Sequence, residues 1–495
     1  MRRAWFGLSL ALFSAIEVFA QTPRKYTDVH PVPDTPALRR AQQVLEAING
    51  GDPAKVKALV ESAFAPALRD GTPMAEHLAA FAQWRDQNQK LETYGARTYD
   101  PPEDATKAVL VVRSRLLETW QAVVVTVDPQ PPNLITEVDV NPARPPSDAP
   151  KGARLEPLQI AKALGEYVDR LAAAGLFSGT VLLRKDDKIL MTRSAGVANR
   201  DFDAPVRLDT KFNLGSMNKM FTGVAAMMLV RQGKLSLDDP IGKHLDASWL
   251  PKVDKNKVLV KHLLTHTSGL GSYFADGFDR SSRLLYRTVD DYKPLVADET
   301  LKFEPGTRWA YSNTGMLIAG AVIEKASGTD YFDFVRKNIT GPAGMKNTDC
   351  YELDKVNPNL AVGYERLPGA SGVEFRNNIF DHVLRGGPAG GGFSTVEDLD
   401  RFAQALRGNT LLDPASKQEL WKARPEISSP TYGLGFFLDD TRAGRRVGHS
   451  GGFTGISAGL DVYLDEGWNV AVLSNFGGVA PIVTTKAAEL IFQGR

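Results

Sequence analysis

Ser216-Met217-Asn218-Lys219 stands directly before an apolar run from Met220 to Val230, and the reading of this stretch decides the fold. The run predicts a buried helix, on which Ser216 and Lys219 share one face. That spacing has a chemical use. A serine hydroxyl is a weak nucleophile by itself, and a lysine within hydrogen-bond reach takes its proton when burial keeps the amine neutral. The helix N-terminus adds an oriented dipole and a free backbone N–H at Ser216, where an oxyanion can develop. Ser-x-x-Lys occurs nowhere else in the chain. A serine ahead of a helix is nonetheless more often a simple N-cap, so the motif needs company.

Two further elements supply it. Tyr311-Ser312-Asn313 follows the turn Pro305-Gly306 and precedes a helix-like stretch, Met316 to Lys325. A tyrosine hydroxyl relays protons to a leaving group, and an amide hydrogen-bonds a substrate carbonyl. His449-Ser450-Gly451 closes a predicted strand, Arg445 to His449. With these three motifs in this order, the chain from about Leu155 to its C-terminus resembles the serine β-lactamase and penicillin-binding protein superfamily. The likeness is to its class C-like branch of β-lactamases, D-peptidases and related esterases. His262-Leu263-Leu264-Thr265-His266-Thr267-Ser268-Gly269-Leu270 and Ala389-Gly390-Gly391-Gly392-Phe393-Ser394-Thr395 belong to the same resemblance.

The resemblance implies a role for each matching position. Ser216 is the nucleophile, Lys219 its proton acceptor, Tyr311 a second acid/base and Asn313 a substrate-orienting amide. Either Lys219 or Tyr311 serves as the acylation base. Gly451 lets substrate approach the strand, and Gly452 supplies an oxyanion-hole N–H beside that of Ser216. The implied fold is α+β: an antiparallel sheet built from both chain ends with an inserted helical subdomain, preceded by a smaller α+β domain. The implied activity is two-step acyl transfer without a cofactor, on an amide or ester such as a D-amino-acid peptide or a small ester. One position departs from the pattern. Where β-lactamases of this branch carry a lysine, this chain has His449, whose ordinary pKa near ~6.5 predicts carboxylate binding that fades as pH rises through neutrality. Weak or absent β-lactamase activity follows.

Competing readings fare less well. Gly448-His449-Ser450-Gly451-Gly452 also matches a nucleophile elbow, but that fold needs a histidine after the serine and none follows Ser450. His262 and His266 lie four apart, yet Leu263 replaces the glutamate of a zinc-protease helix. His30, His77, His244 and His382 show no ligand spacing, so no metal is predicted. The glycines at 386–387 and 390–392 lack a following Gly-Lys-Ser/Thr and so do not cradle phosphate; they either simply permit positive φ in a loop or form a loop that borders the active-site cleft, and Ser394 with Glu397 reads as a capping box. A true β-lactamase, or a non-catalytic ligand sensor or scaffold on the same fold, are the alternatives.

Outside the hydrolase region the sequence sets boundaries. Arg2 and Arg3 precede an apolar stretch from Ala4 to Ile16, which predicts a signal peptide over residues 1–20 and an exported, periplasmic or secreted protein. That stretch is shorter than the ~20 residues of a membrane-crossing helix, so no stable span is expected after cleavage. Residues 29–141 read as helices from Thr35 to about Gln89, then a four-strand meander, Leu91 to Tyr99, Lys107 to Leu116, Trp120 to Val127 and Leu134 to Val140. This accessory domain resembles the nuclear-transport-factor-two-like fold. Prolines 142, 145, 146 and 150 mark a linker over 142–152, leaving 153–495 as the hydrolase domain. Sheet strands are predicted at Gly179 to Arg184, Lys188 to Arg193, Gly433 to Leu438, Ile456 to Leu464 and Trp468 to Ser474. With 59 basic against 58 acidic residues, no global field attracts nucleic acid; the expected partner is a small-molecule or peptide substrate. The single cysteine, Cys350, excludes an intramolecular disulfide. No motif speaks to oligomeric state.

Overall fold

A computed structural model describes residues 25–494 except 147, 150, 151, 370, 371, 442 and 443. The predicted signal peptide lies outside the described residues. The chain forms two compact units, one up to Gly152 together with the short segment 368–373, the other made of the remainder from Ala153 onward.

In the first unit, strand β1 (Lys25–Val29) precedes helices α1 (Pro36–Gly50), α2 (Pro53–Ala63), α3 (Pro66–Gly71) and α4 (Met74–Asn88). Strands β2 (Leu91–Asp100), β3 (Lys107–Ser114), β4 (Trp120–Val127) and β5 (Ile135–Pro142) complete a sheet in the order β1-β2-β3-β4-β5. Thr35 caps α1 by accepting from Leu38 N–H, and Asp52 caps α2 in the same way through Ala54. Val44 and Ile48 of α1 pack on Leu110, Val112, Val123 and Val125 of the sheet. The sheet has five strands, one more than the sequence predicts. Strand β1 carries little apolar pattern; what seats it is Asp28, opposite Arg97 on β2, with both carboxylate oxygens accepting from the buried guanidinium at 2.8 and 3.0 Å.

The second unit begins with α5 (Pro157–Ala173) and the hairpin β6 (Gly179–Lys185) and β7 (Lys188–Ala195). After a long, mainly helical middle come β8 (Phe437–Thr441), β9 (Gly444–Phe453), β10 (Ile456–Tyr463), β11 (Trp468–Ser474) and a closing helix, Val479–Phe492. The six strands run antiparallel in the order β8-β9-β10-β11-β6-β7, so the two chain ends meet at the β11–β6 pair. Every residue of β11 is buried. The central strand is therefore covered on both faces, which accounts for a continuous apolar run where a half-exposed strand would alternate.

Two departures from the sequence reading bear on the site. The segment Gly433–Gly435, expected in a strand, is a turn laid on the helix Asn218–Arg231. A Cβ at Gly435, at φ +80°, would lie 2.2 Å from the carbonyl oxygen of Lys219, and one at Gly223 would lie 2.0 Å from that of Leu434. Strand β9, expected to end at His449, continues to Phe453. Its neighbour β8 reaches only Gly448, so from His449 onward the outer edge of β9 has no strand partner among the described residues.

Candidate active site

The Ser-x-x-Lys segment does not form one unbroken helix. Gly215–Met217 makes a 3-10 turn, and the α-helix, α6 (Asn218–Arg231), starts one residue later. Ser216 caps neither end; its hydroxyl hydrogen-bonds the Tyr311 phenol instead. Lys219 is wholly buried one turn on. Its Nζ donates to Asn313 Oδ1 at 2.9 Å and to the Ala389 carbonyl at 2.6 Å, and lies 4.7 Å from the centre of the Tyr311 ring. Both partners are neutral, so burial drives the amine well below the ordinary lysine pKa. Burial pushes Tyr311 the other way, up from the ordinary phenol value, with the Ser216 hydrogen bond opposing weakly. Burial thus favours a neutral amine beside a protonated phenol.

The second motif is placed by helix α7 (Asn313–Ser327), capped at its start by Ser312, whose Oγ accepts from Gly315 N–H at 2.7 Å, and stopped by Gly328 in the left-handed region. Asn313 sits in the first turn. Its Oδ1 is occupied by Lys219, and its Nδ2 donates to Ser272 Oγ at 3.2 Å. It holds the lysine in place.

Glycines let three backbones converge on Ser216. A Cβ at Gly451 would stand 1.8 Å from Leu214 O and 3.1 Å from Ser216 N; one at Gly215 would stand 2.8 Å from Gly452 N. A Cβ at Gly390 would meet Gly215 O at 2.8 Å and Ser216 N at 3.4 Å. Gly451 thus admits the neighbouring turn, where the sequence reading had it admit substrate, and the N–H groups of Ser216 and Gly452 come close together. The glycine loop is tied in by Gly391 N–H to Gly215 O (3.1 Å) and Leu214 N–H to Gly392 O (2.7 Å). The capping box expected at Ser394 and Glu397 is shifted: Thr395 caps the helix Val396–Arg407 by accepting from Asp398 N–H, while Ser394 bonds Thr348.

His449 differs most from its sequence reading. It is buried, its Nδ1 lies 2.5 Å from Ser450 O and its Nε2 lies 2.9 Å from the Tyr432 hydroxyl. A carbonyl only accepts, so Nδ1 carries the proton of the neutral ring, and Nε2 must accept from Tyr432. Burial, with Lys219 adding repulsion, pulls its pKa down to about 3. Burial of the ring argues against the titration anticipated near neutrality.

Three contributors escaped the sequence reading. His266, at φ +60°, accepts from Ser312 N–H at 3.1 Å and packs its ring 4.4 Å from Tyr311 and 4.6 Å from Tyr432. Burial holds it neutral as well. Tyr432 orients His449. Asn218, between the serine and the lysine, accepts from Gly392 N–H (3.0 Å) and donates to Cys350 Sγ (3.3 Å), joining α6 to the glycine loop. Polar residues inside an otherwise apolar helix were the available signal for Asn218; nothing local marked Tyr432. Among the described residues, no group of three or more His, Cys, Asp or Glu could hold a metal ion.

A six-stranded antiparallel sheet made from both ends of the second unit, with a helical insert placing serine, lysine and tyrosine beside the open edge of β9, defines the fold shared by β-lactamases and penicillin-binding proteins. The chain belongs to the Beta-lactamase family, whose model matches residues 160–491. It is 32% identical to a penicillin-binding protein of Bacillus subtilis over 331 residues, 63% of this chain and 71% of that protein. With the esterase EstB of Burkholderia gladioli it shares 28% identity over 346 residues, 61% of this chain and 86% of the other. Among solved structures, a D-stereospecific amidohydrolase from Streptomyces sp. superposes with a TM-score of 0.55 at 27% identity, covering 69% of this chain and all of that one. These likenesses support a hydrolase.

Proposed function

We propose that the chain is a serine hydrolase that forms an acyl-enzyme at Ser216 on an amide or ester, a D-amino-acid peptide or small ester, with weak or no β-lactamase activity. The observation that carries this reading is Lys219: a buried amine whose two N–H bonds go to Asn313 and Ala389, leaving its lone pair as the remaining function. Lys219 is then the acylation base. Tyr311, held as a phenol, takes the Ser216 proton only as it passes its own on, so it relays between Ser216 and Lys219 and later protonates the leaving group. The N–H groups of Ser216 and Gly452 stabilise the oxyanion, and water releases the acyl group. An esterase and an amidohydrolase among the similar proteins support both leaving-group classes. His449 argues against a β-lactamase, since its only N–H is already given to Ser450 O and none is left for a β-lactam carboxylate.

A fluorophosphonate probe tests the reading: mass spectrometry should place the adduct on Ser216, and Ser216→Ala should lose it. An unlabelled wild type that binds but does not turn over esters would favour a ligand sensor, and rapid turnover of penicillins would favour a β-lactamase.

A further inference from the structure

Two exposed phenylalanines stand at the mouth of this site, each placed there by a residue of the site itself. Phe274 lies two residues beyond Ser272, whose Oγ accepts from Asn313 Nδ2, and its own N–H bonds the same oxygen at 3.4 Å. Phe453 directly follows Gly452 on the open edge of β9. Although the two come from segments far apart in the chain, their ring centres are 5.8 Å apart, with 32° between the planes. They remain 42% and 37% exposed. Phe274 is also backed by buried Phe278 at 4.8 Å and by Tyr273 at 4.5 Å, and Tyr273 is close enough to Tyr311 to be perturbed by it. A single exposed aromatic needs no explanation. Two in contact, from separate segments and with Phe274 backed by further rings, form an apolar wall beside the reacting serine.

Charge around the site points the same way. Burial disfavours a charge on both His266 and His449. His449 gives its one N–H to Ser450 O and has none to spare, so a substrate carboxylate entering beside it would lose its water without gaining a donor from that ring.

We infer that Phe274 and Phe453 form an apolar subsite for an uncharged aromatic or branched group beside the scissile carbonyl, and that the enzyme discriminates against substrates carrying a free carboxylate there. This rests on the serine hydrolase reading. The test uses the full chain and three p-nitrophenyl esters: acetate, phenylacetate and 4-carboxyphenylacetate, the last differing from the second by one charge. Wild type should prefer phenylacetate over acetate by about tenfold in kcat/KM, and over the carboxylated ester by at least as much. Phe274→Ala and Phe453→Ala, with thermal melts to confirm folding, should each lower the phenylacetate-to-acetate ratio by roughly five- to tenfold. Phe274→Leu and Phe453→Leu, which keep apolar bulk, should retain most of it. A ratio within twofold of wild type in both alanine variants, or a carboxylated ester that is the better substrate, would overturn the subsite. If no ester acylates wild-type Ser216 and the fluorophosphonate leaves it unlabelled, the hydrolase reading itself falls, and the subsite with it.

Discussion

Replacing Lys219 with methionine separates the chemistry of the amine from its effect on stability. In the fold, Lys219 is buried and its pKa lies well below the ordinary value; in the unfolded chain it returns to ~10.4. Between those two values unfolding takes up one proton, so wild-type stability rises with pH. The sign is that of a base whose pKa is depressed by folding: the destabilisation is full at low pH and fades as pH climbs towards the unfolded pKa. One proton corresponds to a slope of about 1.4 kcal/mol per pH unit, or roughly 2.7 kcal/mol between pH 7 and 9. Lys219→Met removes that titration and also leaves Asn313 Oδ1 and Ala389 O without their donor, but the second effect does not depend on pH and cancels from the slope. Urea melts of both proteins at pH 7, 8 and 9, followed in the transition that the substitution displaces, give the difference directly. Wild type should gain on the variant by the stated slope, and the variant should lose acylation of Ser216. A stability difference that stays constant from pH 7 to 9 would mean that folded Lys219 is charged at neutrality, and Lys219 could not be the base.

Further outcomes follow from the same geometry. For a free acid and its methyl ester, the kcat/KM ratio should stay flat between about pH 5.5 and 7.5, bracketing the unperturbed imidazole value, because His449, at about 3, is neutral throughout; a ratio that falls through that window would show the ring titrating. Gly451→Ala places a Cβ 1.8 Å from Leu214 O, and displacing Ser216 by ~1 Å should slow acylation about 100-fold in a protein that still folds; normal acylation would deny the tight approach. Ser450→Ala should keep covalent labelling at Ser216, whereas its loss would revive the nucleophile elbow. Arg97→Ala strands the buried Asp28 carboxylate and should cost the first unit about 3–5 kcal/mol, read as an earlier thermal transition; an unmoved transition would show that β1 is seated by something else.

The sequence by itself determined the family and marked the residues on which the proposed chemistry rests. Ser216-x-x-Lys219, Tyr311-x-Asn313 and His449-x-Gly451 are local patterns, and the paired strands near both ends of the second unit are short apolar or alternating runs bounded by turn residues, which neighbours along the chain encode. It could not show β1, because that strand is held by an ion pair between residues 69 apart in the chain. Nor could it choose between Lys219 and Tyr311. Their protonation depends on burial and on partners such as Asn313, 94 residues from Lys219, and Ala389, 170 residues away. The same holds for His449: its neighbours along the chain leave it an ordinary imidazole, and only packing against Tyr432 and exclusion of water make it a neutral, fully engaged one. Residue type and spacing are written along the chain, whereas desolvation and pairing arise only when distant segments close on one another, and those decide which group carries the proton.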